Sequence, residues 1–123
     1  LTLAKILEEL PGITVNYPGL ESSPYKPLVD EQFGGLGGAI LTIRAGSREK
    51  AFKLINSLKY AHIATNIGDL RTLVIHPSST IYLHSTKEEQ EHAGVYEDTI
   101  RISIGIEDVE DLIEDFTQAI ENI

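Results

Sequence analysis

Residues 98–116, "DTIRISIGIEDVEDLIEDF", change their apolar period in mid-stretch. Ile100, Ile102, Ile104 and Ile106 recur at every second position; Val109, Leu112, Ile113, Phe116, Ile120 and Ile123 then recur at helical spacing. Side chains alternate across a strand and repeat every ~3.6 residues around a helix. The first set therefore predicts a strand over 99–106 with an isoleucine core face, and the second an amphipathic helix. Glu107, Asp108, Glu110 and Asp111 crowd the helix start, where the helix dipole favours negative charge. A strand that runs straight into such a helix must have its apolar face covered, which calls for a sheet with helices packed on it.

The rest of the chain fits that requirement. Leu3, Ile6, Leu7 and Leu10 predict a helix that Pro11-Gly12 stops. Ile13, Val15 and Tyr17 alternate ahead of a turn at Pro18-Gly19. A short helix fits residues 24–33, broken by "GGLGG" (34–38), and a strand fits Ala39 to Ala45. Ser47 is the expected N-cap of a helix marked by Ala51, Leu54, Ile55 and Leu58. Two extended pieces, 62–67 and 72–76, flank Gly68-Asp69. Ser85 with Glu88, and Thr86 with Glu89, both suit a capping box for a short helix ending at Gly94. The expected fold is α+β: one domain over 1–123, a mostly antiparallel sheet with helices gathered on one face.

Charge and composition narrow the function. Ten Lys and Arg against 19 Asp and Glu give a net charge of −9. That balance argues against nucleic acid and against an anionic membrane surface. The absence of cysteine excludes disulfides, thiolate chemistry and cysteine zinc sites. No apolar run approaches the ~18–20 residues of a membrane span, and a cytoplasmic location is the default expectation. The chain opens at Leu1, inside an amphipathic pattern, and holds no Met. It is accordingly expected to be part of a longer polypeptide.

Most candidate motifs dissolve on inspection. Gly35-Leu36-Gly37 begins a G-x-G-x-x-G, but Ile40 stands where the third glycine belongs. His62, His76, His84 and His92 form no H-x-H or H-E-x-x-H pair, so metal-ligand spacing is absent. Glu88 and His92, four apart on a helix, are expected to form a solvated surface pair. "HPSST" (76–80) reads as a turn whose hydroxyls bond nearby backbone. Arg101 remains. Its face of the strand continues with Ser103 and Gly105, and small neighbours leave room around a guanidinium. That room suits a carboxylate, from this chain as a salt bridge or from a ligand as a bidentate clamp; the residues alone leave both readings open.

A longer pattern bears on the choice. "NIGDLRTLVIHPSST" (66–80) with "AGVYEDTIRISIGIEDVEDLIEDFTQAIENI" (93–123) resembles the C-terminal end of the Cys/Met-metabolism family of pyridoxal-phosphate enzymes. "VNYPGLESSPY" (15–25) and "GGAILTIRAG" (37–46) are similar to earlier segments of the same domain. The sulfhydrylase branch, which acts on O-acetylhomoserine, looks nearest. The resemblance implies the small C-terminal domain of a fold-type-I enzyme. It implies a parent reaction in which sulfide replaces the acetoxy group of O-acetyl-L-homoserine to give L-homocysteine. Arg101 matches the family arginine that binds the substrate α-carboxylate, and Asn66 matches a position where many members carry a serine near the cofactor lysine and that carboxylate, and where the sulfhydrylase branch tends to carry Asn-Ile-Gly. Thr65 occupies a position that varies with substrate choice. After "HPSST" the family continues Thr-His, whereas this chain has Ile81-Tyr82.

The resemblance also implies what is missing. The Schiff-base lysine belongs to a larger domain, at the end of a Ser-x-Thr-Lys sequence. Ser85-Thr86-Lys87 has the wrong spacing, and Glu88 and Glu89 beside it favour a charged ammonium. No catalytic and no cofactor-binding residue is therefore expected in this chain, and no pyridoxal phosphate bound by it alone. The expected partners are the large cofactor-binding domain, an amino-acid substrate and further copies in a homo-oligomer. Two other readings stand beside this one: a free-standing module that senses a carboxylate metabolite through Arg101, and a structural domain that supplies subunit contacts.

Overall fold

The isoleucine-rich strand lies in the middle of the sheet. In the computed structural model, which describes residues 1–123, five strands run in chain order: β1 (Thr14–Asn16), β2 (Ile40–Arg44), β3 (His62–Ile63), β4 (Leu73–Ile75) and β5 (Thr99–Ser103). They pair in the order β1-β2-β5-β4-β3. Every pairing is antiparallel except β3 with β4. Five helices join them: α1 (Thr2–Glu9), α2 (Lys26–Phe33), α3 (Arg48–Ser57), α4 (Lys87–His92) and α5 (Val109–Glu121), with a 3-10 turn at Pro77–Ser79.

Register decides which side chains meet. Ile100 lies opposite Ile43, and Ile102 lies opposite both Leu41 and Val74. These residues are fully or almost fully buried, together with Leu7 of α1, Leu54 of α3 and Phe116 of α5, in one continuous core. The sheet is thus mostly antiparallel, with α1, α3 and α5 covering one face, as the alternation predicts. No helix is long and apolar enough to cross a membrane.

Local signals hold at several ends. Ser47 Oγ accepts the Lys50 amide at 3.2 Å. Thr86 and Glu89 form the capping box, each bonded to the other's backbone. Asp108 accepts from the Glu110 amide at 3.0 Å. The expected Glu88–His92 pair is not made: both residues are exposed, and α4 instead carries Lys87 with Glu91 at 4.0 Å.

The predicted strand over 99–106 is too long. Pairing stops at Ser103; Ile104 packs half-buried against the core, while Ile106 is 78% exposed. The reason is tertiary. Beyond Ser103 the chain runs beside residues 70–72, where the Ile106 amide donates to Leu70 O at 2.9 Å. Ile106 therefore leaves the helical face. Of the extended piece 62–67 only two residues pair, and residues 64–71 form a loop.

One buried charge organises the link between α3 and β3. Asp115 is 2% exposed; Oδ1 accepts the Lys59 amide at 2.8 Å and Oδ2 the Tyr60 amide at 2.9 Å. The hydrophobic stripe of α5 gave no hint of it. Hydrogen bonds to a carboxylate contribute about 1.5–3 kcal/mol each. Asp115→Ala is expected to lower unfolding stability by about that amount in urea titration. Glu114→Ala, one position away on the exposed side, should stay within about 0.5 kcal/mol of the unsubstituted chain.

Candidate functional site

The sheet face opposite the helices carries the polar half of the alternation. Cross-strand register aligns Asn16, Thr42, Arg101 and Ile75 in one row. Thr14, Arg44 and Thr99 form the row beside it. Two arginines therefore share this face, and their surroundings differ. Arg44 Nε donates to Asp98 Oδ1 at 2.8 Å, and its guanidinium lies 4.1 Å from the Tyr96 ring centre. It is neutralised and stacked.

Arg101 has no carboxylate partner. Its Nη2 donates to the carbonyls of Thr65, at 2.8 Å, and Asn66, at 3.3 Å. Its Nε is buried without a hydrogen-bond partner. Of the two local readings open at the sequence level, the internal salt bridge is not what the fold builds. A half-buried cation is aimed by backbone dipoles and keeps its charge. Buried polar atoms are nearly always paired, so an unpaired guanidinium N–H calls for an explanation.

Arg101, Thr65 and Asn66 are thus brought together, though through main-chain carbonyls of the last two. The side chains of Thr65 and Asn66 are exposed. Ile81 is half exposed and Tyr82 half-buried, on the segment that follows the 3-10 turn. That segment is anchored by His76. The Glu97 carbonyl, 2.7 Å from Nε2, can only accept, so Nε2 carries the proton; Nδ1, 2.8 Å from Ser79 Oγ, then accepts.

The small residues next to Arg101 have another task than the one expected of them. Ser103 Oγ accepts the Gly68 amide at 3.2 Å. A Cβ on Gly105 would overlap the backbone of Leu70 and Arg71 and the Glu107 carboxylate. They make room for the 64–72 segment, and the guanidinium does not occupy that space. Every second residue from 101 to 107 touches this segment in step: Arg101 at 65 and 66, Ser103 at 68, Gly105 at 70–72, Glu107 at 72. Sequence reasoning missed Thr72 and Glu107. The signal was there, because the odd-numbered set continues past the strand to Glu107.

Glu107 closes the segment. Oε1 accepts the Thr72 amide at 2.6 Å and Oε2 the Thr72 hydroxyl at 2.8 Å, while the Gly105 amide donates to Thr72 Oγ1 at 3.0 Å. Partial burial is the largest single influence on this carboxyl and pushes its pKa up. The hydrogen bonds from Thr72 and from backbone, with the charge of His62, outweigh it, and the net shift is downward.

No lysine suits a cofactor carbonyl. Lys5, Lys50, Lys53, Lys59 and Lys87 are exposed, and Lys26 is held by Asp30 at 2.6 Å and Glu21 at 3.6 Å. The residues present fit a carboxylate ligand and do not fit covalent attachment of pyridoxal phosphate.

The family model for Cys/Met metabolism PLP-dependent enzymes matches residues 1–121. Homocysteine synthase of Schizosaccharomyces pombe is 45% identical over 97% of this chain and 28% of its own length. O-acetyl-L-homoserine sulfhydrylase 1 of Thermus thermophilus is 42% identical over 98% and 29%. L-methionine gamma-lyase of Fusobacterium nucleatum is 37% identical over 99% and 31%. A putative O-acetylhomoserine (thiol)-lyase from Campylobacter jejuni, solved with a pyridoxyl-lysine monophosphate, superimposes with a TM-score of 0.89 at 37% identity, covering 98% of this chain and 29% of that one. The chain spans about three tenths of the length of the curated relatives it matches.

Glu107 has a stability signature. Its lowered folded pKa contributes stability that is fully present above the unfolded glutamate value, about 4.3. It is lost as pH falls through the folded value. In urea titrations Glu107→Gln should be less stable than the unsubstituted chain at neutral pH, and the gap should close in acid as pH falls through the folded value. A gap unchanged at low pH would mean that the carboxylate charge contributes nothing.

Proposed function

Because the chain belongs to the Cys/Met metabolism family of PLP-dependent enzymes, we propose that it is the small C-terminal domain of an O-acetyl-L-homoserine sulfhydrylase-like enzyme. In this reading the domain supplies one wall of the active site and the arginine that binds the substrate α-carboxylate. The observation that carries it is Arg101, half-buried, free of any carboxylate and aimed by two loop carbonyls, with Nε buried and unpaired. Likeness to the homocysteine synthase and sulfhydrylase relatives supports the choice of reaction. A gamma-lyase among the relatives favours a second reading: elimination from a related amino acid on the same site.

Each residue has a role in this proposal. Arg101 holds the carboxylate by parallel N–H bonds, since a planar guanidinium matches two oxygens where an ammonium does not. The carbonyls of Thr65 and Asn66 fix the direction of the guanidinium, which limits the orientations open to the bound amino acid. The Asn66 amide, exposed beside them, is placed to meet the same ligand. Thr65 and Ile81 shape the approach from which substrates are distinguished. Pyridoxal phosphate, when bound, supplies the electron sink of the reaction; its lysine and phosphate contacts belong, in this reading, to a large domain absent from this chain. The chain alone is inactive, the enzyme is a homo-oligomer, and its setting is cytoplasmic.

Kinetics of the full-length enzyme test the assignment. Arg101→Ala should lower kcat/KM for O-acetyl-L-homoserine by about 2–5 kcal/mol of transition-state stabilisation. Arg101→Lys should restore only part, because the fork is lost. Unfolding stability should fall by no more than about 1–2 kcal/mol, the scale of the two loop-carbonyl bonds, since the side chain makes no ion pair. A collapse in stability with unaltered kcat/KM would make Arg101 a structural residue and remove the proposal's support.

A further inference from the structure

Residues 64–71 have no regular secondary structure, and little apolar burial holds them. Thr65, Asn66, Ile67 and Leu70 are all exposed, the last two at 60% and 71%. A segment with few buried contacts opens easily unless polar ties restrain it. Its ties run to one place, the end of β5 and the four residues beyond. Gly68 is bonded to Ser103 at 3.2 Å, and Leu70 O to the Ile106 amide at 2.9 Å. The strongest tie is at the base, where buried Thr72 meets Glu107 twice and also receives the Gly105 amide. Charge-assisted bonds to a carboxylate are about twice as strong as neutral ones.

That arrangement links Thr72 to a guanidinium it does not touch. The direction of Arg101 depends on carbonyls 65 and 66, and their position depends on a loop closed at Thr72. Without Thr72 Oγ1 the Gly105 amide loses its acceptor and Glu107 loses one of its two donors. Gly105 is then held against Leu70 and Arg71 only through its neighbours, the Ile106 amide on Leu70 O and Ser103 on Gly68, and the carbonyls drift as the loop loosens. The guanidinium follows, or loses its Nη2 partners.

From this we infer that Thr72 and Glu107 are positioning residues for the carboxylate-binding arginine: their hydrogen-bonded clamp sets the loop carbonyls that aim Arg101 and so sets the affinity for an amino-acid substrate. The inference rests on the proposed role of Arg101. It assigns a function to two residues that make no hydrogen bond to the arginine itself.

The test uses the full-length enzyme with O-acetyl-L-homoserine and sulfide, and compares five variants. Thr72→Val keeps the side-chain shape and removes the hydroxyl. It should raise KM about tenfold to a hundredfold, the scale of a misplaced binding group, with a smaller change in kcat. Thr72→Ser, which restores the hydroxyl, should return KM to within about threefold of the natural enzyme, well inside that range. Glu107→Gln should also raise KM, and provides the same reading if Thr72→Val fails to fold. Arg101→Ala sets the full loss. The combined Thr72→Val, Arg101→Ala enzyme should be no worse than Arg101→Ala alone, because the clamp acts through the arginine.

The failures separate. If Arg101→Ala raises KM while Thr72→Val and Glu107→Gln leave it unchanged, the clamp proposal is wrong and the arginine assignment stands. If the losses from Thr72→Val and Arg101→Ala multiply, the threonine acts independently of the arginine, and the proposal is again wrong. If Arg101→Ala changes nothing, the functional reading itself falls and the clamp falls with it.

Discussion

Strand β5 is fastened on both of its faces, and the rest of the molecule is arranged around that fact. One face sends Ile100 and Ile102 into the core shared by α1, α3 and α5. The other sends Arg101 and Ser103 into the 64–71 loop. Its two edges are paired with β2 and β4. A strand held this way cannot slip by one residue, since slippage would exchange isoleucines for an arginine and a serine in the core. Apolar burial thus sets the register, and the register sets where the guanidinium emerges. Two isoleucine side chains fully buried are worth roughly 3–6 kcal/mol together by transfer values, more than any single polar contact on the opposite face.

The charge imbalance has a structural counterpart. Nineteen acidic residues face ten basic ones, yet several carboxylates are engaged with backbone amides. Asp115 accepts two, and Asp98 accepts one from Gly46 besides its bond to Arg44. Glu107 accepts one with a hydroxyl, and Glu89 and Asp108 cap helices. Each satisfies an N–H that secondary structure leaves open, at a helix start or where the chain changes direction. The acid excess therefore includes much of the hydrogen-bond acceptor supply of the turns. None of it is directed at Arg101.

Most of the fold could be read before any coordinates, because alternation and helical spacing are local properties. The α5 stripe, the Ser47 cap and the Thr86–Glu89 box depend on residues a few positions apart. What could not be read depends on distant partners. The alternation of isoleucines continues to Ile106, but the strand does not, because Gly105 meets Leu70 and Arg71 from thirty-odd positions upstream. Asp115 sits among acidic residues that look like a solvated helix face, and its role appears only when the end of α3 arrives beside it. For the site, Arg101 stood out as an odd residue on a core strand. The carbonyls that hold it did not, since main-chain groups leave no mark in a sequence. The smallness of Ser103 and Gly105 is visible in the sequence, but what it serves is not: the two residues accommodate the 64–72 segment rather than the guanidinium.

Holding a cation by carbonyls has a consequence that a salt bridge would not have. A carboxylate beside Arg101 would neutralise it, and any ligand carboxylate would first have to displace that partner. Peptide carbonyls offer partial charges only. They satisfy Nη2 and fix the plane of the guanidinium while its full positive charge stays uncompensated. Arg44, on the next row of the same face, shows the other outcome: with Asp98 at 2.8 Å and Tyr96 stacked on it, that guanidinium is occupied. One sheet face thus carries two arginines of identical intrinsic chemistry with opposite fates, and the difference lies in what each neighbouring loop presents. The loop beside Arg44 brings an aspartate side chain; the loop beside Arg101 brings its backbone.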